Sequence, residues 1–151
     1  TLSRSERRID GINDGQWYAA RQDRTHDVAV VTLYEFSDRF NVSAAWIYQT
    51  GNAVTFPVGK YTIADQVVWL YTERNGYRMP AYHRLDLGAT YKLKPKRKYE
   101  SELAFSLYNA YGRENPFLIN FQQSESNPNR TVAVQTALFR WVPAVSWNFK
   151  F

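Results

Sequence analysis

The chain has 151 residues, no cysteine and a net charge of +5, and 17% of its residues are aromatic. The length suits one domain, and the lack of cysteine excludes a disulfide framework and cysteine-based metal or redox sites. No apolar run approaches the roughly 20 residues of a membrane helix. The basic residues are scattered along the chain, so we expect no nucleic-acid partner.

The first third of the chain contains one predicted hairpin. Residues 1–8 are polar and extended in character, and we predict that they end a strand that begins before this sequence. After a loop rich in Gly, Asn and Asp (10–15), apolar and polar residues alternate over 24–36 and again over 40–50. This period of two predicts strands with two different faces. The short turn between them requires an antiparallel hairpin.

The remainder predicts three further strands. In order, we expect a large loop (52–83), a strand (84–93), a short turn (94–98), a strand (99–108), a long connection (110–139) and a closing strand (145–151). The closing strand alternates without a break, with Val145, Trp147, Phe149 and Phe151 on one face. A strand that ends on such an aromatic is typical of an outer-membrane β-barrel, where one face meets lipid and the other a polar lumen. We predict that Trp147, Phe149 and Phe151 lie at the lipid interface.

The layout of connections favours a transmembrane barrel, since short turns alternate with long loops and each strand offers about ten residues. We therefore predict an all-β, antiparallel, up-and-down transmembrane barrel with an aromatic girdle at the short-turn end, formed by Tyr34, Phe36, Phe40, Tyr91, Tyr99, Phe149 and Phe151. A soluble β-sandwich has alternating strands too, and is the alternative. About five to six strands cannot close in lipid, where unpaired backbone groups cost several kcal/mol each. Residues 1–151 are thus predicted to be the C-terminal segment of a larger barrel domain, as a fragment or a separate subunit.

Several long segments resemble one family. They are GINDGQWYAARQDR (11–24), TGNAVTFP (50–57), YRMPAYHRLDL (77–87), SLYNAYGRENPF (106–117) and SWNFKF (146–151). These segments are similar to the C-terminal barrel region of TonB-dependent outer-membrane receptors of the Bacteroidetes type, and the similarity spans essentially the whole chain.

The resemblance implies a barrel of about 22 strands around an N-terminal plug in the bacterial outer membrane. Such receptors import a scarce extracellular ligand into the periplasm with energy passed on by TonB. The implied partners are the rest of the barrel and the plug, the lipid bilayer, the barrel-assembly machinery, TonB through an N-terminal part outside this sequence, and a surface lipoprotein. The resemblance also implies that the aromatic chain end is an assembly signal. A non-transport structural or adhesive barrel subunit is the alternative function.

Enzyme chemistry is weakly supported. Alternation places His26 and Asp27, and likewise His83 and Asp86, on opposite faces, so we predict no catalytic residues. With two histidines and no cysteine we predict no metal site, and no cofactor.

The best functional candidates are aromatic and cationic residues of the predicted extracellular loops. Stacking and charged hydrogen bonds from such residues suit sugars, peptides or aromatic chelates. The predicted ligand-binding residues are Trp17, Tyr18, Arg21, Tyr61, Trp69, Tyr71, Arg74 and Tyr77. The alternative is that these aromatics only pack the loops together.

Overall fold

A computed structural model describes residues 1–64, 66–71, 73–93, 100–126 and 130–150. This part of the chain is all-β with antiparallel pairing, as predicted. Its strands are β1 (Glu6–Arg7), β2 (Tyr18–Ala19), β3 (Asp27–Ser37), β4 (Phe40–Gln49), β5 (Ala53–Val54), β6 (Gly59–Ile63), β7 (Gln66–Leu70), β8 (Tyr77–Arg78), β9 (Tyr82–Lys92), β10 (Glu100–Tyr108), β11 (Leu118–Gln123), β12 (Thr131–Thr136) and β13 (Val142–Lys150). One 3₁₀ turn occupies Asn13–Gly15. None of the described residues belongs to a helix with the length and apolar character to cross a bilayer.

The chain divides into two compact units. The loop unit comprises Thr1–Asp27 and Gln49–Ala81, and the sheet unit comprises Val28–Tyr48 and Tyr82–Phe151. All five predicted full strands occur in the sheet unit, as β3, β4, β9, β10 and β13. The predicted turn 94–98, Tyr99 and Phe151 lie outside the described residues.

The sheet unit is built on a five-stranded sheet with the order β13-β10-β9-β4-β3. Its strands are nine to eleven residues long. β3 and β4 are joined by a tight turn in which Ser37 Oγ accepts the Phe40 N–H at 3.2 Å. β11 and β12 form a separate hairpin in the same unit.

The closing strand begins three residues before the predicted start at Val145, and it includes Pro143 opposite Leu107. Proline cannot donate to a strand ladder, so the sequence predicted a boundary here. β13 is an edge strand that pairs with β10 alone within the described sheet. Within this sheet, Pro143 leaves the pairing of β13 with β10 intact through Val142 and Tyr108.

The sheet has one apolar and one polar face. The register aligns Trp147, Leu103 and Tyr91 across β13, β10 and β9 on one face, and it aligns Val145, Phe105 and Ala89 beside them. The opposite face carries the rows Asn148–Glu102–Lys92 and Ser146–Ala104–Thr90. The apolar side chains are not covered: Val145 is 67% exposed, Trp147 63% and Phe149 58%. β3 departs from the pattern, because Val31 and Leu33 on its other face are exposed too.

Aromatic rings cluster at both ends of the apolar face. At the tight-turn end, Phe36 packs on Tyr34 at 4.6 Å and on Phe40 at 5.5 Å between ring centroids. At the other end, Tyr48 stacks on Trp46 at 6.1 Å and on His83 at 6.3 Å. The first cluster contains three of the predicted girdle residues, whereas the second was not predicted.

The buried Asn109 ends β10. Its positive φ of 54° stops the strand, and asparagine tolerates that conformation. Its N–H donates to Asp86 Oδ1 at 2.9 Å, and its Nδ2 donates to the carbonyls of Arg113, at 2.9 Å, and Arg140. One side chain thus fixes both sides of the connection between β10 and β13.

The predicted long loop is folded into nested hairpins, with β5 paired to β8 and β6 to β7. Residues at the start of the chain complete this loop unit: β1 pairs with β2, and Leu2 bridges His26. Thr1 and Asp27 exchange two backbone hydrogen bonds of 2.7 and 3.0 Å. The extended character predicted for residues 1–8 is therefore present.

Candidate functional site

The loop unit contains a cavity of about 280 Å³ at the junction of three chain segments. It is lined by Arg7, Ile9, Tyr18, Arg21, Gln22, Arg74 and Asn75. Tyr18, Arg21 and Arg74 are three of the ligand-binding residues predicted from the sequence. Tyr18 is buried, whereas the three arginine side chains are exposed.

The first two segments are joined by backbone pairing. Arg7 on β1 lies opposite Tyr18 on β2. Beyond this pair, the Ala20 N–H donates to the Ser5 carbonyl at 2.9 Å, and the Ser5 N–H donates to Asp23 Oδ1 at 2.5 Å. Ala20 is fully buried beneath these bonds. Hydrogen bonds at and after β2 therefore fix the backbone that carries Arg7 and Arg21.

The third segment is held by asparagine side chains. Asn13 Nδ2 donates to the Arg74 carbonyl at 3.0 Å, and its Oδ1 accepts the Arg74 N–H at 2.7 Å. Asn75 has a positive φ of 56°, and its Nδ2 donates to the Ala19 carbonyl at 2.9 Å. These bonds fix the backbone that carries the Arg74 guanidinium and join it to β2.

A buried ion pair lies behind the cavity segments. Asp23 is only 2% exposed and pairs with Arg78, whose Nη1 also donates to the carbonyls of Asp23 and Gly51 at 3.2 Å each. The hydrogen bond from Arg78 is the main reason that the pKa of Asp23 lies below its ordinary value, although burial opposes it. A Cβ on Gly51 would overlap the Met79 carbonyl, so only glycine allows these two segments to approach.

The other predicted ligand-binding residues do not line this cavity. Tyr77 stacks on Phe56 at 5.7 Å, which is a packing contact. In the β6–β7 hairpin Lys60 lies opposite Trp69, so these two residues share a face. Tyr61 follows Lys60 and therefore lies on the other face. Trp17 and Tyr71 are 64% and 54% exposed.

Sequence reasoning missed Arg7, Ile9, Gln22 and Asn75 in the cavity lining and Asn13 behind it. Asn13 and Arg74 are 61 positions apart, and no periodicity connects them. The one available signal was the cluster of Asn and Gly around Asn13 and around Asn75, which marks turns with local hydrogen bonds.

Each of the two histidines contacts a hydroxyl group. His83 Nδ1 lies 2.7 Å from the Tyr111 hydroxyl, while Asp86 on the opposite face pairs with Arg84 at 2.9 Å. His26 Nδ1 contacts Thr50 Oγ1 at 3.1 Å. Within the described part of the chain, no three His, Asp or Glu side chains group in a way that could hold a metal ion.

A second cavity, of about 430 Å³, lies in the sheet unit and has mixed charge. Arg39, Lys92 and Lys150 line it together with Glu100 and Glu102. The loop-unit cavity differs because its described lining contains three cations and no carboxylate.

Comparisons of the chain with protein-family models, curated proteins and solved structures give no match.

Proposed function

We propose that the chain forms the closing strands and loops of a TonB-dependent outer-membrane transporter that binds an extracellular ligand and passes it to the periplasm. The observation that carries this proposal is the uncovered apolar face of the five-stranded sheet. Val145, Trp147 and Phe149 are each more than half exposed on that face, while the polar face carries residues such as Asn148 and Lys92. Lipid on one side and a watery lumen on the other would satisfy both faces.

Strand length supports the same conclusion. The five strands of nine to eleven residues match the roughly 9–11 residues of a tilted membrane-spanning strand. A sheet edge cannot remain open in lipid, because each unpaired backbone group costs several kcal/mol there. In the proposed barrel, β3 and β13 therefore pair with strands supplied by the rest of the barrel.

The two aromatic clusters support a membrane boundary at each end of the sheet. Phe40 and Tyr48 are separated along β4 by about 26 Å, or about 20 Å along the membrane normal at a tilt of roughly 40°. Outer-membrane barrels have aromatic girdles that flank an apolar band about 25 Å tall. In the proposed transporter, the arginine-lined cavity of the loop unit would take the ligand.

Single-cysteine labelling in a cysteine-free background tests the membrane placement, and these 151 residues contain no cysteine that would need replacement. In outer-membrane preparations of the full-length protein, Val145→Cys and Trp147→Cys are labelled with an environment-sensitive fluorophore. Ser146→Cys and Asn148→Cys are the matched controls from the other face. We expect a lipid-embedded quencher to act on the first pair and aqueous iodide to act on the second.

Two results would refute the placement. Equal quenching of both pairs by iodide would mean that the sheet is in water. Shielding of Val145→Cys and Trp147→Cys from both quenchers would mean that protein covers the apolar face, as in a β-sandwich.

Transport needs its own test, because a structural or adhesive barrel subunit would have the same sheet. We expect deletion of this protein and inactivation of TonB to abolish uptake of the same nutrient in a growth screen. A deletion that weakens the envelope but leaves all TonB-dependent uptake intact would favour the structural role.

A further inference from the structure

We propose that the arginine-lined cavity of the loop unit binds a phosphate monoester group. The role of this cavity as the ligand site of a transporter rests on the proposed function. The binding of phosphate itself depends only on the geometry of the loop unit.

The charge of the cavity indicates an anion. Arg7, Arg21 and Arg74 line it, and its described lining has no acidic residue. None of these three guanidiniums makes an ion pair or side-chain hydrogen bond with another described residue. The nearby cations Arg4 and Arg78 differ, since they pair with Glu6 and Asp23. Three like charges at one cavity repel each other, so a bound anion would remove an unfavourable interaction and add charged hydrogen bonds.

The number of arginines favours phosphate over carboxylate. A guanidinium binds either group with a planar pair of N–H donors. A carboxylate has two oxygens, whereas a phosphate monoester has three terminal oxygens and a charge near −2 at neutral pH. Three arginines from three chain segments match the larger number of acceptors and the larger charge.

The backbone of the site is arranged before any ligand binds. Arg74 is held at its N–H and carbonyl by Asn13, and Arg7 lies on a strand paired with β2. Asn75 joins the Arg74 segment to Ala19. A ligand would therefore order three side chains without having to gather three loops, which reduces the entropy cost of binding.

The remaining lining accommodates the group that carries the phosphate. Tyr18 and Ile9 provide apolar surface, and Gln22 provides an amide beside the arginines. The volume of about 280 Å³ lies just below the usual range of ligand pockets, which is about 300–1,000 Å³. A single phosphorylated sugar fits this size and polarity. The phosphorylated headgroup of a glycolipid has the same chemistry.

The test titrates the full-length protein in detergent with inorganic phosphate and, in a second experiment, with glucose 6-phosphate. Binding is monitored by ³¹P NMR. We expect saturable binding that weakens about tenfold in each of Arg7→Gln, Arg21→Gln and Arg74→Gln, since a tenfold change corresponds to about 1.4 kcal/mol. Arg8→Gln is the matched control, because Arg8 neighbours Arg7 but does not line the cavity. Arg74→Lys keeps the charge without the two-donor fork and should retain intermediate affinity.

Binding that does not saturate, or an equal loss in Arg8→Gln, would overturn the proposal, as would tighter binding of malonate than of phosphate. Displacement of bound phosphate by glucose 6-phosphate or by a dispersed phosphorylated glycolipid would support the site. The ligand that displaces phosphate at the lower concentration would identify which of the two sources the site prefers. If the glutamine variants lose their fold, the three Arg→Lys variants are measured in their place, because they keep the charge at each position. Weaker phosphate binding in these variants would support the site, and unchanged binding in all three would overturn it. Phosphate binding and lipid quenching are separate measurements, so the site and the transporter proposal can fail independently.

Discussion

The loop unit and the sheet unit bury different kinds of side chain. In the loop unit Tyr18, Ala20 and Ala53 are buried, and Asp23 is buried with them beside its arginine partner. Among the described residues of the sheet unit, no large hydrophobic side chain is buried to that degree, and its buried groups are Ser101 and Asn109. Both units expose large hydrophobic side chains, but among the described residues only the loop unit buries apolar ones. In the proposed barrel, lipid would cover the apolar face of the sheet unit.

Buried hydrogen bonds and the ion pair Asp23–Arg78 supplement the small apolar core of the loop unit. If the sheet unit is a membrane wall, as proposed, it needs no interior core, because lipid and lumen take its place on the two faces. Four predictions test this difference between the units.

Val145→Arg should have the largest effect. Val145 lies near the middle of β13 on the apolar face. In the proposed barrel, a cation facing lipid there would cost about 2–4 kcal/mol. We expect loss of heat-modifiable folded protein from the outer membrane. The neighbouring Ser146→Arg, on the polar face, should assemble normally. Equal tolerance of both substitutions would mean that the two faces have similar surroundings.

Asp23→Ala should destabilise the loop unit by about 2–3 kcal/mol. The substitution leaves Arg78 and the Ser5 N–H without their partner, but Arg78 is 39% exposed and retains some hydration. Hydrogen exchange at the Ser5 and Ala20 amides would accelerate, while heat modifiability of the sheet stays unchanged. Asp10→Ala, an exposed acidic residue of the same unit, is the control. A protected Ala20 amide in Asp23→Ala would contradict the role of the ion pair.

Asn109→Ala should cost about 1–2 kcal/mol, because the carbonyls of Arg113 and Arg140 lose their donor and alanine is disfavoured at positive φ. Asn109→Gly restores the backbone preference alone and should recover part of that loss. The exposed Asn120→Ala should be neutral. Thermal unfolding of the detergent-solubilised protein measures the series, and equal stability of all three variants would exclude a structural role for Asn109.

Acid should loosen the loop unit first. The pKa of Asp23 lies below its ordinary value of 3.8 in the folded unit, so unfolding takes up a proton at low pH. The stabilisation is complete above that ordinary value and is lost as pH falls towards the lowered pKa. We expect Ala20 exchange to rise in this window in the wild-type protein and to show a smaller pH response in Asp23→Asn. An identical pH response in the variant would assign the change to another group.

The sequence predicted the sheet unit far better than the loop unit, for physical reasons. Strands in an amphipathic sheet repeat every two residues, so β4 and β9 could be located from their own residues to within about two positions. The loop unit depends on contacts such as Asn13 with Arg74 and Arg78 with Asp23, which are 61 and 55 positions apart. Neither pair shows a local pattern. Tyr18, Arg21 and Arg74 could be selected by residue type, but their convergence, and the contribution of Arg7, required the fold.

One hydrogen bond has a consequence for where β13 can sit. The Trp147 indole N–H donates to Ser101 Oγ at 2.6 Å on the next strand. Tryptophans usually stay near headgroups because the indole donor seeks a wet partner. In the proposed barrel, Trp147 could therefore lie deeper than the headgroups, because its donor is satisfied inside the sheet. In Ser101→Ala the donor would lose this partner, and the ring would be drawn towards water. Ser101 would then be the residue that removes the need of this indole for water.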